Sequence, residues 1–151
     1  MRRLVAAVAV LACAGSAFAA AAQATKPQKQ AIEMAASLTG SNTAAGTWTG
    51  TGPVDDAGTY RETFRFPGET IHAEKVLLGS KGTIVLRVQA RVVWLSPCTV
   101  AFEAGSWQVA DGTGAYQRLK GGGTPALTAD SSGNVCTGAI HVTHAGWAHD
   151  D

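Results

Sequence analysis

The chain has 151 residues, 46% hydrophobic and 15% charged, and its twelve Lys and Arg against eleven Asp and Glu leave a formal net charge of +1. So even a balance excludes the basic footprint of a nucleic-acid-binding protein. The length suits a single domain with a real but modest core.

Met1-Arg2-Arg3, the apolar run from Leu4 to Ala14 and then Gly15-Ser16-Ala17-Phe18-Ala19 read as n-region, h-region and A-x-A cleavage site. Residues 1–19 are therefore expected to be a secretory signal peptide. The apolar run is shorter than the roughly 20 residues a membrane-crossing helix needs, and no later segment suits a transmembrane helix. A competing reading makes Cys13 the lipidated first residue of a lipoprotein, but Leu11 is bulky and the better cleavage site lies downstream. Removing the leader takes Arg2 and Arg3, leaving ten basic residues against eleven acidic ones. It also takes Cys13, so Cys98 and Cys136 remain as an even pair expected to form a disulfide in an oxidising compartment.

Residues 20–46 are rich in Ala, Gln, Thr, Lys and Ser and are expected to form an exported linker. Within it Ile32, Met34 and Leu38 suit two turns of helix over Gln30 to Leu38, marginal unless docked. From Thr47 onward short β-like runs alternate with Gly, Pro, Asp and Ser clusters. Strands are predicted at 48–54, 59–66, 70–78, 83–95, 99–103, 106–110, 122–129 and 135–143, with Asp130-Ser131-Ser132-Gly133-Asn134 joining the last two. The run 83–95 is the clearest: Ile84, Leu86, Val88, Ala90, Val92 and Trp94 share one face and Arg87, Gln89 and Arg91 the other. With no repeat and no βαβ alternation, an all-β antiparallel domain follows. Closure into a barrel and pairing as a sandwich both satisfy the pattern.

The stretch "DGTGAYQRLKGGGT", Asp111 to Thr124, tempts a phosphate-loop reading. The dinucleotide fingerprint fails because Gln117 stands where its third glycine belongs, and a P-loop fails because Lys120 precedes its glycines. Glycines here serve tight connections and a strongly coiled strand, with Tyr116 and Leu119 capping the core end. Together with "SWQVA" before it and "ALTAD" and "TGAIHVTHAGW" after it, the stretch resembles the Gly-x-Gly-x-Tyr-x-x-Leu-x-Gly-x-Gly signature of bacterial secreted proteins related to the allene oxide cyclase and dirigent barrels. The resemblance extends weakly back to "GTWTGTG". It implies an eight-stranded antiparallel up-and-down, calycin-like barrel over 47–147 with a central cavity, and a tail at 148–151. Homo-oligomerisation is implied by analogy only. No catalytic residue carries over.

His141 and His144 lie three apart on a strand and so face opposite sides, which argues against a shared metal ion; both are expected to face solvent near a frayed C-terminus. His149-Asp150-Asp151 offers no shaped site, and no metal or cofactor is expected. His72 and Glu74 share a face and are weak acid/base candidates if that face points inward; outward is favoured. Arg87, Gln89 and Arg91 read as a solvated stripe, with an anion-binding lining as the alternative. Trp94 and Trp107 read as core. Trp48, with space beside Gly50, Trp147, beyond the last strand, and Tyr116 are candidate ligand contacts. No nucleophile elbow occurs. The favoured expectation is a secreted, non-catalytic barrel binding a small apolar or amphipathic ligand, or a partner, at one barrel end. The alternatives are a cyclase or isomerase using His72 and Glu74 in the cavity, and a structural or interaction protein with a filled core.

Overall fold

The computed structural model describes residues 25–128 and 136–151. The signal peptide, Cys13 and the turn at 130–134 lie outside the described residues. Eight strands form a closed barrel in sequence order: β1 (Gln28–Gly40), β2 (Thr43–Thr51), β3 (Ala57–Arg65), β4 (Thr70–Gly79), β5 (Thr83–Ser96), β6 (Thr99–Gly112), β7 (Leu119–Thr128) and β8 (Ala139–Asp150). Every neighbour is antiparallel, and β1 closes the ring against β8. A full ring leaves no edge strand to template aggregation. The sandwich is excluded.

β1 corrects the expected linker and its helix. Its alternation is of period two: Gln30, Ile32, Met34 and Ala36 are buried, whereas Lys29, Glu33 and Ala35 are exposed. Ala-rich composition favours helix locally, yet pairing with both β2 and β8 outweighs a propensity worth only tenths of a kcal/mol per residue. The count of eight still holds, because the runs expected at 99–103 and 106–110 are one strand, β6. Ala104 bends it at φ 46, where the β5–β6 register also shifts between Gln89 and Arg91. The C-terminal tail is likewise strand: β8 runs through Trp147 to Asp150 and pairs with β7.

The interior is filled toward one end by Trp48, Leu77, Ile84, Leu86, Trp107 and Tyr116. That end is latched by Asp56, between β2 and β3. Its carboxylate accepts from Ser80 N (3.2 Å) and Oγ (2.7 Å), Lys81 N (3.1 Å), Ala57 N (2.9 Å) and Tyr116 Oη (2.9 Å). The Ser80 hydroxyl bond, opposed by partial desolvation and reinforced by the backbone donors and Tyr116, holds the Asp56 carboxyl well below its usual range. Tyr116 sits in a single turn of 3-10 helix, Gly114–Tyr116. The glycine run serves geometry. A Cβ on Gly123 would lie 2.0 Å from Ala145 O, and one on Gly146 2.0 Å from Gly122 O. Strands β7 and β8 approach that closely only without side chains.

The opposite end is open. Beyond Arg91, which pairs with Thr70, and a last backbone bond from Val92 N to Glu69 O, β5 pairs with β6 alone, so the β5–β6 hairpin projects past the wall. This corrects the core assignment of Trp94, which is 63% exposed, while Trp107 is buried. The Cys98–Cys136 disulfide, with a Cα separation of 5.2 Å, ties the hairpin tip to the approach to β8.

Candidate ligand-binding cavity

Inward parity on β3 follows Tyr60, Glu62 and Phe64, and on β4 Ile71, Ala73, Lys75 and Leu77. Register sets Glu62 opposite Lys75 and Tyr60 opposite Leu77. Two charged side chains therefore meet inside the barrel, with Lys75 Nζ donating to Glu62 Oε2 at 2.5 Å and the two residues only 2% and 5% exposed. Above them opens a cavity of about 710 Å³. Its walls are chiefly apolar, with Phe64 and Ile71 on one side, Val92, Val100 and Phe102 from the projecting hairpin, and Ile140 and Val142 from β8. The volume lies in the range of small-molecule sites.

Burial dominates the electrostatics. It lowers the Lys75 ammonium pKa, opposed by the charge and hydrogen bond of Glu62. Burial also raises the Tyr60 phenol, helped by Glu62. The Lys75 ammonium lies 5.6 Å from the Tyr60 ring centroid, within range of a cation–π contact. His144, fully buried on β8, is held well below its ordinary imidazole range by burial first and by Lys75 second. Its ring meets Trp107 edge-on at 5.9 Å. The Tyr60 hydroxyl and both His144 nitrogens are buried without a hydrogen-bond partner among the described residues. Of these groups only Glu62 and Lys75 line the cavity, where the pair can bind a polar head group and exchange a proton between them.

The residues singled out from sequence fall elsewhere. His72 and Glu74 point outward, Glu74 lying 3.6 Å from Arg87 in an exterior groove. Arg91 likewise faces solvent, 3.4 Å from Glu69. Trp48 is buried, donating to Leu78 O at 3.4 Å, and Tyr116 belongs to the Asp56 latch. Trp147 is 44% exposed on the outer face of β8, stacked on His149, rather than beyond the last strand. None of these three touches the open cavity. His141 and His144 face opposite sides as expected, but His144 is interior rather than solvated, because the strand continues past it. Among the described residues no group of three or more His, Cys, Asp or Glu is placed to hold a metal. The chain matches no family model, no curated protein and no solved structure.

Glu62 and Lys75 are the residues that sequence reasoning passed over. The signal was present. Glu62 shares the parity of Tyr60 and Phe64, and Lys75 that of Ile71, Ala73 and Leu77. A charge on an apolar face of each of two consecutive strands is the mark of an interior pair.

Proposed function

We propose that this protein is an exported barrel, akin to the allene oxide cyclase and dirigent-like proteins, that binds one small amphipathic molecule through its open end. The apolar body of the ligand lies against Phe64, Val92 and Phe102, and its polar group reaches the floor. The observation that carries this reading is the buried Glu62–Lys75 pair at the base of a chiefly apolar cavity. Desolvating both ions costs several kcal/mol each in rough terms, which their mutual attraction offsets incompletely, so a well-packed apolar pair would serve the fold as well or better. Export agrees with the leader pattern and with the disulfide. Among the described residues no helix is long and apolar enough to cross a membrane. With His72 and Glu74 outside, an enzymatic reading rests on Glu62 and Lys75 instead.

The test is a titration with N-phenyl-1-naphthylamine, a neutral amphiphile that fluoresces in apolar sites. Saturable one-to-one enhancement in the wild type, lost in Phe102→Glu with the melting temperature retained, supports the cavity. Absence of enhancement, or enhancement indifferent to Phe102→Glu, overturns it.

A further inference from the structure

The nature of the floor narrows the ligand class, on the premise that the cavity is a binding site. Glu62 already neutralises Lys75 at 2.5 Å, so the floor is charge-balanced. An anionic head group would set a second negative charge against Glu62 in a site shielded from water, and a cationic one would face Lys75 in the same way. A neutral carbonyl meets neither penalty, and it accepts a hydrogen bond from the N–H groups of Lys75 that Glu62 leaves free. We propose that the cavity takes an amphipathic aldehyde or ketone and that Lys75 holds it covalently as an imine.

Three features support the condensation. The chain has five lysines, of which Lys26, Lys29, Lys81 and Lys120 are exposed and Lys75 alone stands inside. Burial weakens its hold on the third proton, as reactive amines require. Glu62 is in hydrogen-bond contact with the reacting nitrogen and takes that proton, which frees the lone pair to attack the carbonyl carbon. The C–N bond forms, a proton passes from the now cationic nitrogen to the carbonyl oxygen to give a carbinolamine, and Glu62 then delivers the proton it took to the departing hydroxyl. The C–O bond breaks and one water leaves through the mouth. The ammonium–carboxylate pair plus carbonyl thus becomes an iminium–carboxylate pair plus water, with charge conserved and no oxidant or reductant needed. Glu62 remains as counterion, and the Tyr60 ring 5.6 Å from Nζ faces the retained positive charge. The apolar walls limit the access of water that would reverse the step.

The experiment uses the oxidised full-length chain, decanal as carbonyl probe, 1-decanol as its non-condensing analogue and sodium cyanoborohydride to trap the imine at neutral pH. Decanol is expected to displace N-phenyl-1-naphthylamine from the wild type. Decanal with reductant is expected to give one decyl adduct per chain, mapping to Lys75 with about tenfold or greater preference over each surface lysine. Lys75→Arg abolishes that adduct, Lys81→Arg keeps it, and Glu62→Gln slows its formation, with melting temperatures confirming that each variant is folded. Displacement by decanol combined with adducts spread over the surface lysines overturns the imine while leaving the cavity reading intact. Failure of decanol to displace the dye, with no Lys75 adduct, overturns both.

Discussion

Removing one member of the Glu62–Lys75 pair should cost the fold far more than removing both. Lys75→Met strands a carboxylate beneath apolar walls, and breaking a buried pair in this way costs about 3–5 kcal/mol. That is a large share of a net stability of order 5–15 kcal/mol. At a urea slope of roughly 1.5 kcal/mol/M it lowers the midpoint by about 2–3 M. Glu62→Leu alone should be gentler, because burial has already lowered the Lys75 pKa and the amine can shed its proton. The double variant Glu62→Leu/Lys75→Met fills similar volume with apolar atoms and should return to within about 1–2 kcal/mol of wild type, or exceed it. Equilibrium urea unfolding followed by tryptophan fluorescence measures all four corners of the cycle, since Trp48 and Trp107 are buried in the same core. A Lys75→Met midpoint equal to wild type, or strictly additive single effects, would refute the account of a desolvated, mutually dependent pair. A stable double variant that no longer captures decanal would separate what the pair does for the ligand from what it does for the fold.

Acid should destabilise the barrel through His144. Its folded pKa is below 6.5, so the unfolded chain binds the proton first. Its contribution is therefore complete above pH 6.5 and is lost as pH falls toward the folded value, at up to about 1.4 kcal/mol per pH unit. His144→Leu should flatten that limb of a stability–pH curve, and an unchanged slope would count against a buried neutral imidazole. Reducing Cys98–Cys136, which spans a sequence separation of 38, should cost at most about 4 kcal/mol on the chain-entropy model. It should also weaken dye binding, because the bridge anchors the hairpin that supplies Val100 and Phe102 to the wall; dye affinity with and without reductant is the measurement. Gly123→Ala should prevent closure or destabilise it severely, since its Cβ would lie 2.0 Å from Ala145 O. Gly68→Ala, at φ 69 with nothing within 4 Å, should cost only the local conformational penalty of about 1–2 kcal/mol. Thermal melts of the two variants compare them directly, and equal losses would contradict the close approach of β7 and β8.

Strand alternation and turn chemistry carried the architecture. In β5, Ile84, Leu86, Val88 and Ala90 alternate with Arg87 and Gln89 as they do inside and outside the wall. The glycines from Gly121 to Gly123 were legible as geometry, because their spacing failed both phosphate motifs. What stayed hidden depended on partners distant in sequence. β1 reads as linker because its small residues, Ala31, Ala35 and Ala36, carry little β signal; strands β2 and β8 on either side make it a strand. Trp94 continues the apolar parity of β5, yet the wall ends before it because β4 pairs no further than Thr70 with Arg91. Sidedness on β4 was the costliest ambiguity. With Ile71, Ala73, Lys75 and Leu77 on one face and His72, Glu74, Val76 and Leu78 on the other, neither face is wholly apolar. His72 and Glu74 resemble an acid/base unit within one strand, whereas the interior unit, Glu62 with Lys75, is assembled across two.

The distribution of polar groups along the barrel makes sense of that division. At the latched end Gln30 Oε1 accepts from Val54 N at 2.8 Å, its amide donates to Ala31 O at 2.8 Å, and Asp56 gathers donors from two other segments. Under the open mouth a charged pair forms the floor of a largely apolar chamber, and behind that floor the Tyr60 phenol and the His144 imidazole, which do not line the chamber, have no hydrogen-bond partner among the described residues. Buried groups of this kind cost stability, and apolar side chains of similar size could fill the same positions. A barrel selected for rigidity alone would treat its two ends alike. This one gathers the Asp56 contacts where the strands are tied shut and sets a buried charged pair at the floor of the chamber that a small molecule can enter, the asymmetry expected when closure and binding are handled by opposite ends of the same sheet.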